Sequence, residues 1–287
     1  MRRAPLLPRV LLPALLLAGC GGRPAEPPSP AAIPAAAERA AERLRGSTRH
    51  GEWTRIPAGG ADTVRAYVVY PERSTRAPVV VVIHEIFGLT TWVRGVADQL
   101  AADGFIAVAP DLLSGKRLPM SPDSLWSMEG GVDSAVALIS SLDYDEVLRR
   151  IRAAGEYGTG LPAALDRWGV VGFCWGGSMV LATAAHAPAL DAAVSYYGGV
   201  TADQVDLSGV RAPTLALLAE DDARVNVTIP YADSSYRRAG VAFEQVTYPG
   251  AGHGFLRAQD SREGANLAAS QAGWSRTIAW LRRHLEQ

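Results

Sequence analysis

The chain has 287 residues, 48% of them hydrophobic and 20% charged, which is enough for one sizeable core and fits a single α/β domain with a short accessory segment. A net charge of −1, with Lys and Arg scattered along the chain, excludes the basic stripe of a nucleic-acid binder and leaves a small molecule as the expected partner. The two cysteines, Cys20 and Cys174, exclude a disulfide within the domain and a metal cluster built of thiolates.

Arg2, Arg3 and Arg9 make the N-terminus positive, 10–18 is an apolar run too short to span a bilayer, and Leu17-Ala18-Gly19-Cys20 closes it. The pattern predicts an export signal over 1–19. Its last four residues resemble the bacterial lipobox; an ordinary secretory signal with an incidental cysteine is the alternative. The resemblance implies acylation of Cys20 and a membrane partner reached through that lipid. With Gly21 following, it implies an exported lipoprotein of the outer membrane, facing the periplasm. Residues 20–45, rich in Pro and Ala, read as a tether. Within them 38–45 is helix-prone and could belong to the tether or to the edge of the domain. The domain itself is expected over 46–287, as a monomer.

Segments 52–57 and 64–70 flank the turn signal Ala58-Gly59-Gly60-Ala61-Asp62 and predict an antiparallel hairpin. Residues 78–83 form an uninterrupted apolar run rich in β-branched residues, the mark of a strand buried on both faces. An amphipathic helix over 91–103 and a strand over 105–109 complete a parallel strand-helix-strand unit. Less regular sequence follows over 112–165, with helices expected at 132–141 and 144–154. Strands are expected at 168–173, 192–197, 213–219 and 243–248, and an apolar stripe through Leu267, Trp274, Ile278, Leu281 and Leu285 predicts a closing helix. This alternation predicts an α/β, doubly wound, mostly parallel sheet with helices on both faces.

Cys174 stands between glycines in Gly172-Phe173-Cys174-Trp175-Gly176-Gly177, after an apolar strand and before a helix-prone segment. That is the arrangement of a nucleophile elbow, in which the reactive side chain sits on a tight strand-to-helix turn. The competing reading is a buried cysteine among packing glycines. A thiol nucleophile needs a base, an orienter for the base, and donors for the oxyanion. On loops after later strands stand two adjacent carboxylates, Asp221 and Asp222, and then His253 within Gly252-His253-Gly254-Phe255. The chain order nucleophile, acid, histidine is that of α/β-hydrolase sheets. His84, at the end of a buried strand, is a competing base.

Together with Glu85-Ile86-Phe87-Gly88 after the buried strand and Asp222 three residues before Val225, these motifs resemble the dienelactone hydrolase family of the α/β-hydrolase fold, over about 52–287. The resemblance implies a Cys174–His253–Asp222 triad, and a Glu85 carboxylate that contacts the resting thiol and is displaced by substrate. It implies an oxyanion hole from the backbone N–H groups of Trp175 and Ile86, and Arg257 as a partner for a substrate carboxylate. The family's second arginine is out of register, with Lys116 and Arg117 near its place. The expected activity is hydrolysis of small esters or lactones through a thioester, with neither metal nor organic cofactor. The rival is a non-catalytic periplasmic ligand-binding lipoprotein that keeps the fold.

Overall fold

The computed structural model describes Met1 and residues 32–116, 121–127 and 131–287; the Cys20 lipid site, the export signal and Arg117 lie outside the described residues. In chain order the first element is α1 (Ala37–Arg45), followed by the hairpin of β1 (Gly51–Pro57) and β2 (Thr63–Val69). Next come β3 (Ala77–Ile83), α2 (Thr91–Ala102), β4 (Ile106–Asp111), α3 (Pro122–Ser127), α4 (Gly131–Ser140) and α5 (Tyr144–Thr159). The elbow follows as β5 (Ala164–Phe173) and α6 (Trp175–His186), then β6 (Ala192–Tyr196) and β7 (Thr214–Asp221). A short α7 (Ala223–Asn226), α8 (Ile229–Ala239), β8 (Phe243–Gly252) and α9 (Ala265–Leu285) complete the chain.

The strands form one sheet in the order β1-β2-β4-β3-β5-β6-β7-β8. Only the β1–β2 and β2–β4 pairings are antiparallel; from β4 to β8 all neighbours run parallel. The C-terminal ends of β3, β5, β6, β7 and β8 therefore lie along one edge, where ligand sites of open α/β sheets collect. Every residue of β3 is buried, and its side chains alternate between two cores. Val79, Val81 and Ile83 pack with α5, α6 and α8 on one face, and Val80 and Val82 with α2 and α9 on the other. Burying each such valine stabilises the fold by about 1.5–3 kcal/mol relative to exposure, which is why the run reads as strand although it lacks polar alternation. Helix starts are marked chemically: the Thr90 hydroxyl accepts the Val93 N–H at 3.4 Å, and the Asp143 carboxylate accepts the Glu146 N–H at 2.7 Å.

The expected tether end at residue 45 is corrected: α1 belongs to the domain. Ala36 and Ala40 are buried, Ala40 within the core that contains α2. The Ala37 N–H donates to the Arg257 carbonyl at 3.0 Å, and the Gln259 side-chain amide donates to the Pro34 carbonyl at 2.8 Å. A polar, alanine-rich helix gives no sequence sign of what covers its few small apolar residues. The sequence also lacked a signal for α8, whose apolar positions are interrupted by serines and arginines.

Candidate active site

Phe173 ends β5 deep in the core, and the chain must turn sharply to begin α6 at Trp175. Cys174 makes that turn with φ 56° and ψ −117°, a conformation that a residue bearing a side chain rarely adopts and that marks functional sites. Two glycines allow it. A Cβ on Gly172 would stand 2.2 Å from the Gly176 carbonyl oxygen, and one on Gly176 would stand 2.5 Å from the carbonyl oxygens of His84 and Ile83. The second contact presses the start of α6 against the loop after β3, bringing Cys174 and Ile86 onto the wall of one cavity.

His253 and Asp222 follow the adjacent strands β8 and β7, and His253 Nδ1 lies 2.5 Å from Asp222 Oδ2. The Asp222 side chain is 5% exposed, whereas that of Asp221 is 65% exposed and forms an ion pair with Arg262. Of the two adjacent carboxylates, Asp222 therefore faces the imidazole. The His253 side chain also hydrogen bonds to that of Cys174. Burial alone would lower the His253 pKa, but its hydrogen bonds to Asp222 and Cys174 outweigh it and raise the value to about 9. An imidazole so placed holds a proton between a thiol and a carboxylate.

His84 does not compete for this role. It is fully buried, its Nε2 accepts the Leu112 N–H at 3.1 Å, and its Nδ1 lies 2.6 Å from the Glu85 carbonyl oxygen. That pair of contacts requires the proton on Nδ1, and burial lowers the pKa, so the ring stays neutral. It ties the loop of Glu85 and Ile86 to the end of β4.

Glu85 is only 4% exposed, and its carboxylate forms an ion pair with Arg257. Arg257 Nε lies 3.1 Å from Glu85 Oε2, with both side chains largely buried. Burial raises the Glu85 pKa, opposed by the charges of Arg257 and His253. Arg257, expected as an open cation for substrate, is engaged by this carboxylate. Lys116 likewise lies 3.9 Å from Glu146 and does not border the cavity at Cys174. Trp175 and Ile86 both border the cavity in front of Cys174.

Two residues at the site escaped sequence reading. Arg150, 4% exposed, pairs with Asp62 at 2.7 Å and Glu146 at 2.8 Å and donates to the Leu112 and Ser114 carbonyls, fixing the loop after β4. Tyr197, at the end of β6, has φ 39°, and its ring centroid lies 5.1 Å from that of His253 in an edge-on contact. Nothing distinguishes either in sequence from a surface arginine or a core tyrosine. In front of Cys174 lies a cavity of about 940 Å³, bordered by α4, α6 and α7 and by the loop after β6. Among the described residues no group of three or more His, Cys, Asp or Glu is placed to hold a metal ion.

Comparison with known proteins agrees with this geometry. The model of the dienelactone hydrolase family matches residues 64–285. A protein of Escherichia coli K12, provisionally named carboxymethylenebutenolidase, is 30% identical over 243 residues, covering 81% of this chain and 86% of its own length. A protein of a Bradyrhizobium species, provisionally named a 2-oxo-3-(5-oxofuran-2-ylidene)propanoate lactonase, is 28% identical over 253 residues, covering 82% of this chain and 94% of its own. A crystal structure from Klebsiella pneumoniae, provisionally described as a dienelactone hydrolase, superposes with a TM-score of 0.70 at 27% identity, covering 82% of this chain and 98% of that one. With the elbow, the strand order and these matches in agreement, the chain belongs to the dienelactone hydrolase family of α/β-hydrolase-fold enzymes, which act on lactones and esters.

Proposed function

We propose that the protein hydrolyses esters or lactones by covalent catalysis, with Cys174 as nucleophile, His253 as acid and base, and Asp222 as orienter of His253. The observation that carries this reading is the contact of His253 with both Cys174 and Asp222. The Cys174 sulfur, its proton held by His253, attacks the acyl carbon, and the carbonyl electron pair moves to oxygen. The N–H groups of Trp175 and Ile86 receive that oxyanion. Collapse of the tetrahedral species breaks the bond to the alkoxide, which takes the proton from His253, leaving a thioester on Cys174. His253 then removes a proton from water, the resulting hydroxide attacks the thioester, and the acid leaves as the thiol is restored. Asp222 stabilises the imidazolium and holds the ring with Nε2 toward sulfur.

The test is Cys174→Ala, with retention of the fold checked by circular dichroism. We expect turnover of aryl esters and lactones to vanish and the mass of an acyl adduct, trapped on the wild-type chain after brief exposure to substrate, to be missing from the variant. Unchanged turnover would refute the nucleophile; binding without any adduct on the wild-type chain would favour a non-catalytic role. Membrane attachment through an acylated Cys20 is a separate proposal, supported by the pattern over 17–20; palmitate labelling that persists in Cys20→Ser would refute it.

A further inference from the structure

We infer that the site is built for esters or lactones carrying a bulky apolar arm, seated in the cavity under α4, rather than for small lactones that carry carboxylates. The inference rests on the hydrolase reading above and names the substrate class of that same site.

Size is the first reason. The cavity in front of Cys174 measures about 940 Å³, at the upper end of the range that encloses drug-sized ligands, and a small lactone would leave most of it to water. The second reason is the lining. Val132, Val136 and Ile139 of α4 border it at helical spacing, and Val200, Val205 and Val225 contribute from the loop after β6 and from α7. Met179 on α6 adds a flexible apolar wall.

Three polar side chains of the wall are engaged with nearby backbone, while the buried hydroxyls of Tyr144 and Tyr197 have no hydrogen-bond partner among the described residues and are neutral groups that offer an ester oxygen a bond without a charge. The Ser178 hydroxyl donates to the Gly199 carbonyl at 2.7 Å and lies 3.2 Å from the Gly199 N–H. The Thr228 hydroxyl donates to the Val225 carbonyl at 2.8 Å, and the Gln204 side-chain oxygen accepts the Thr201 N–H at 3.1 Å. A charged substrate would have to give up water without recovering those bonds. The cations expected for a carboxylate are engaged elsewhere, Arg257 with Glu85 and Lys116 with Glu146, and neither borders the cavity. Arg224 is the one charged residue among the described lining residues; it is exposed, so an anion there competes with solvent.

The third reason is the state of the border. Val132 is 54% exposed, Val136 46% and Val227 76%, and all three belong to the cavity lining. Apolar side chains left in water around a nucleophile become buried when an apolar arm enters, and that burial favours binding in proportion to the area covered.

The experiment compares kcat/KM of the full chain for 4-nitrophenyl acetate, butyrate and octanoate and for a carboxymethylene-substituted butenolide. Full burial is worth up to about fourfold per methylene, so the octanoate should exceed the acetate by at least about tenfold and exceed the butenolide as well. Val136→Asp, at an exposed position where folding tolerates the change, should reduce the octanoate-to-acetate ratio by about tenfold. Octanoate no better than acetate, a faster carboxylated butenolide, or a ratio unmoved by Val136→Asp would overturn the inference while leaving the hydrolase reading intact. If no ester turns over, the hydrolase reading falls. Binding of 4-nitrophenyl octanoate and acetate to Cys174→Ala, measured by isothermal titration calorimetry, then decides about the cavity. Tighter binding of the octanoate supports the apolar-arm site, and equal or absent binding overturns it.

Discussion

The floor and the roof of the active-site cavity are built on different principles. On the floor, Cys174, Asp222 and His253 follow the ends of parallel strands. Backbone packing at Gly176 and side-chain contacts at Asp222 and Glu85 fix each group to its neighbour. The roof, formed by α4 and the residues after α7, offers valines to water and few polar contacts. The contrast separates chemistry from selectivity. Groups that move a proton must be held to fractions of an ångström, whereas an apolar arm needs area and little direction.

The largest effect that can break this comparison lies on the floor. Asp222→Asn should lower kcat by about 10²–10⁴-fold through loss of the imidazolium partner, and Asp221→Asn by less than about twofold; equal losses in steady-state kinetics would remove the distinction between the two carboxylates. The same pair should part in the pH dependence of stability. His253 is raised to about 9 from an ordinary value of 6.5, so the native state holds a proton there that the unfolded chain releases. Its stabilisation is complete below about pH 6.5 and is lost as pH rises through about 9, at up to about 1.4 kcal/mol per pH unit. Urea unfolding of the wild type and of Asp221→Asn should show that decline, and Asp222→Asn should flatten it; parallel curves for all three would show that Asp222 does not raise the His253 pKa.

Smaller effects sharpen the contrast in packing. Gly176→Ala drives a methyl group into the carbonyls of Ile83 and His84 and should cost about 1–3 kcal/mol of stability. Val227→Ser, on the exposed roof, should change stability by no more than about 0.5 kcal/mol. Chemical unfolding checks both, and a roof substitution that costs as much as the floor one would mean that the two regions are packed alike.

Much of the fold was legible because its signals are local. Seven consecutive apolar residues from Ala77 to Ile83 have few ways to avoid a doubly covered strand, and the glycines around Cys174 announce a turn that other residues cannot make. The helix α1 was not legible, because the burial of Ala36 and Ala40 depends on what packs against them. At the site the sequence supplied residue types and chain order. It could not say that Glu85 would meet Arg257, because those side chains lie 172 positions apart and meet only after β3 and β8 take their places in one sheet.

By itself, then, the sequence determined the α/β architecture, the thiol on its turn, and the order in which an acid and a histidine follow it, since periodicity, glycine spacing and order are properties of a chain. Tertiary structure alone decided that Asp222 and not Asp221 faces His253, that His84 is a neutral brace, that Lys116 and Arg257 are engaged by carboxylates, and that an apolar cavity stands before Cys174. Each of these depends on distance and burial between segments far apart in sequence, and the energies of ion pairs, pKa shifts and apolar contacts exist only once folding has set those distances.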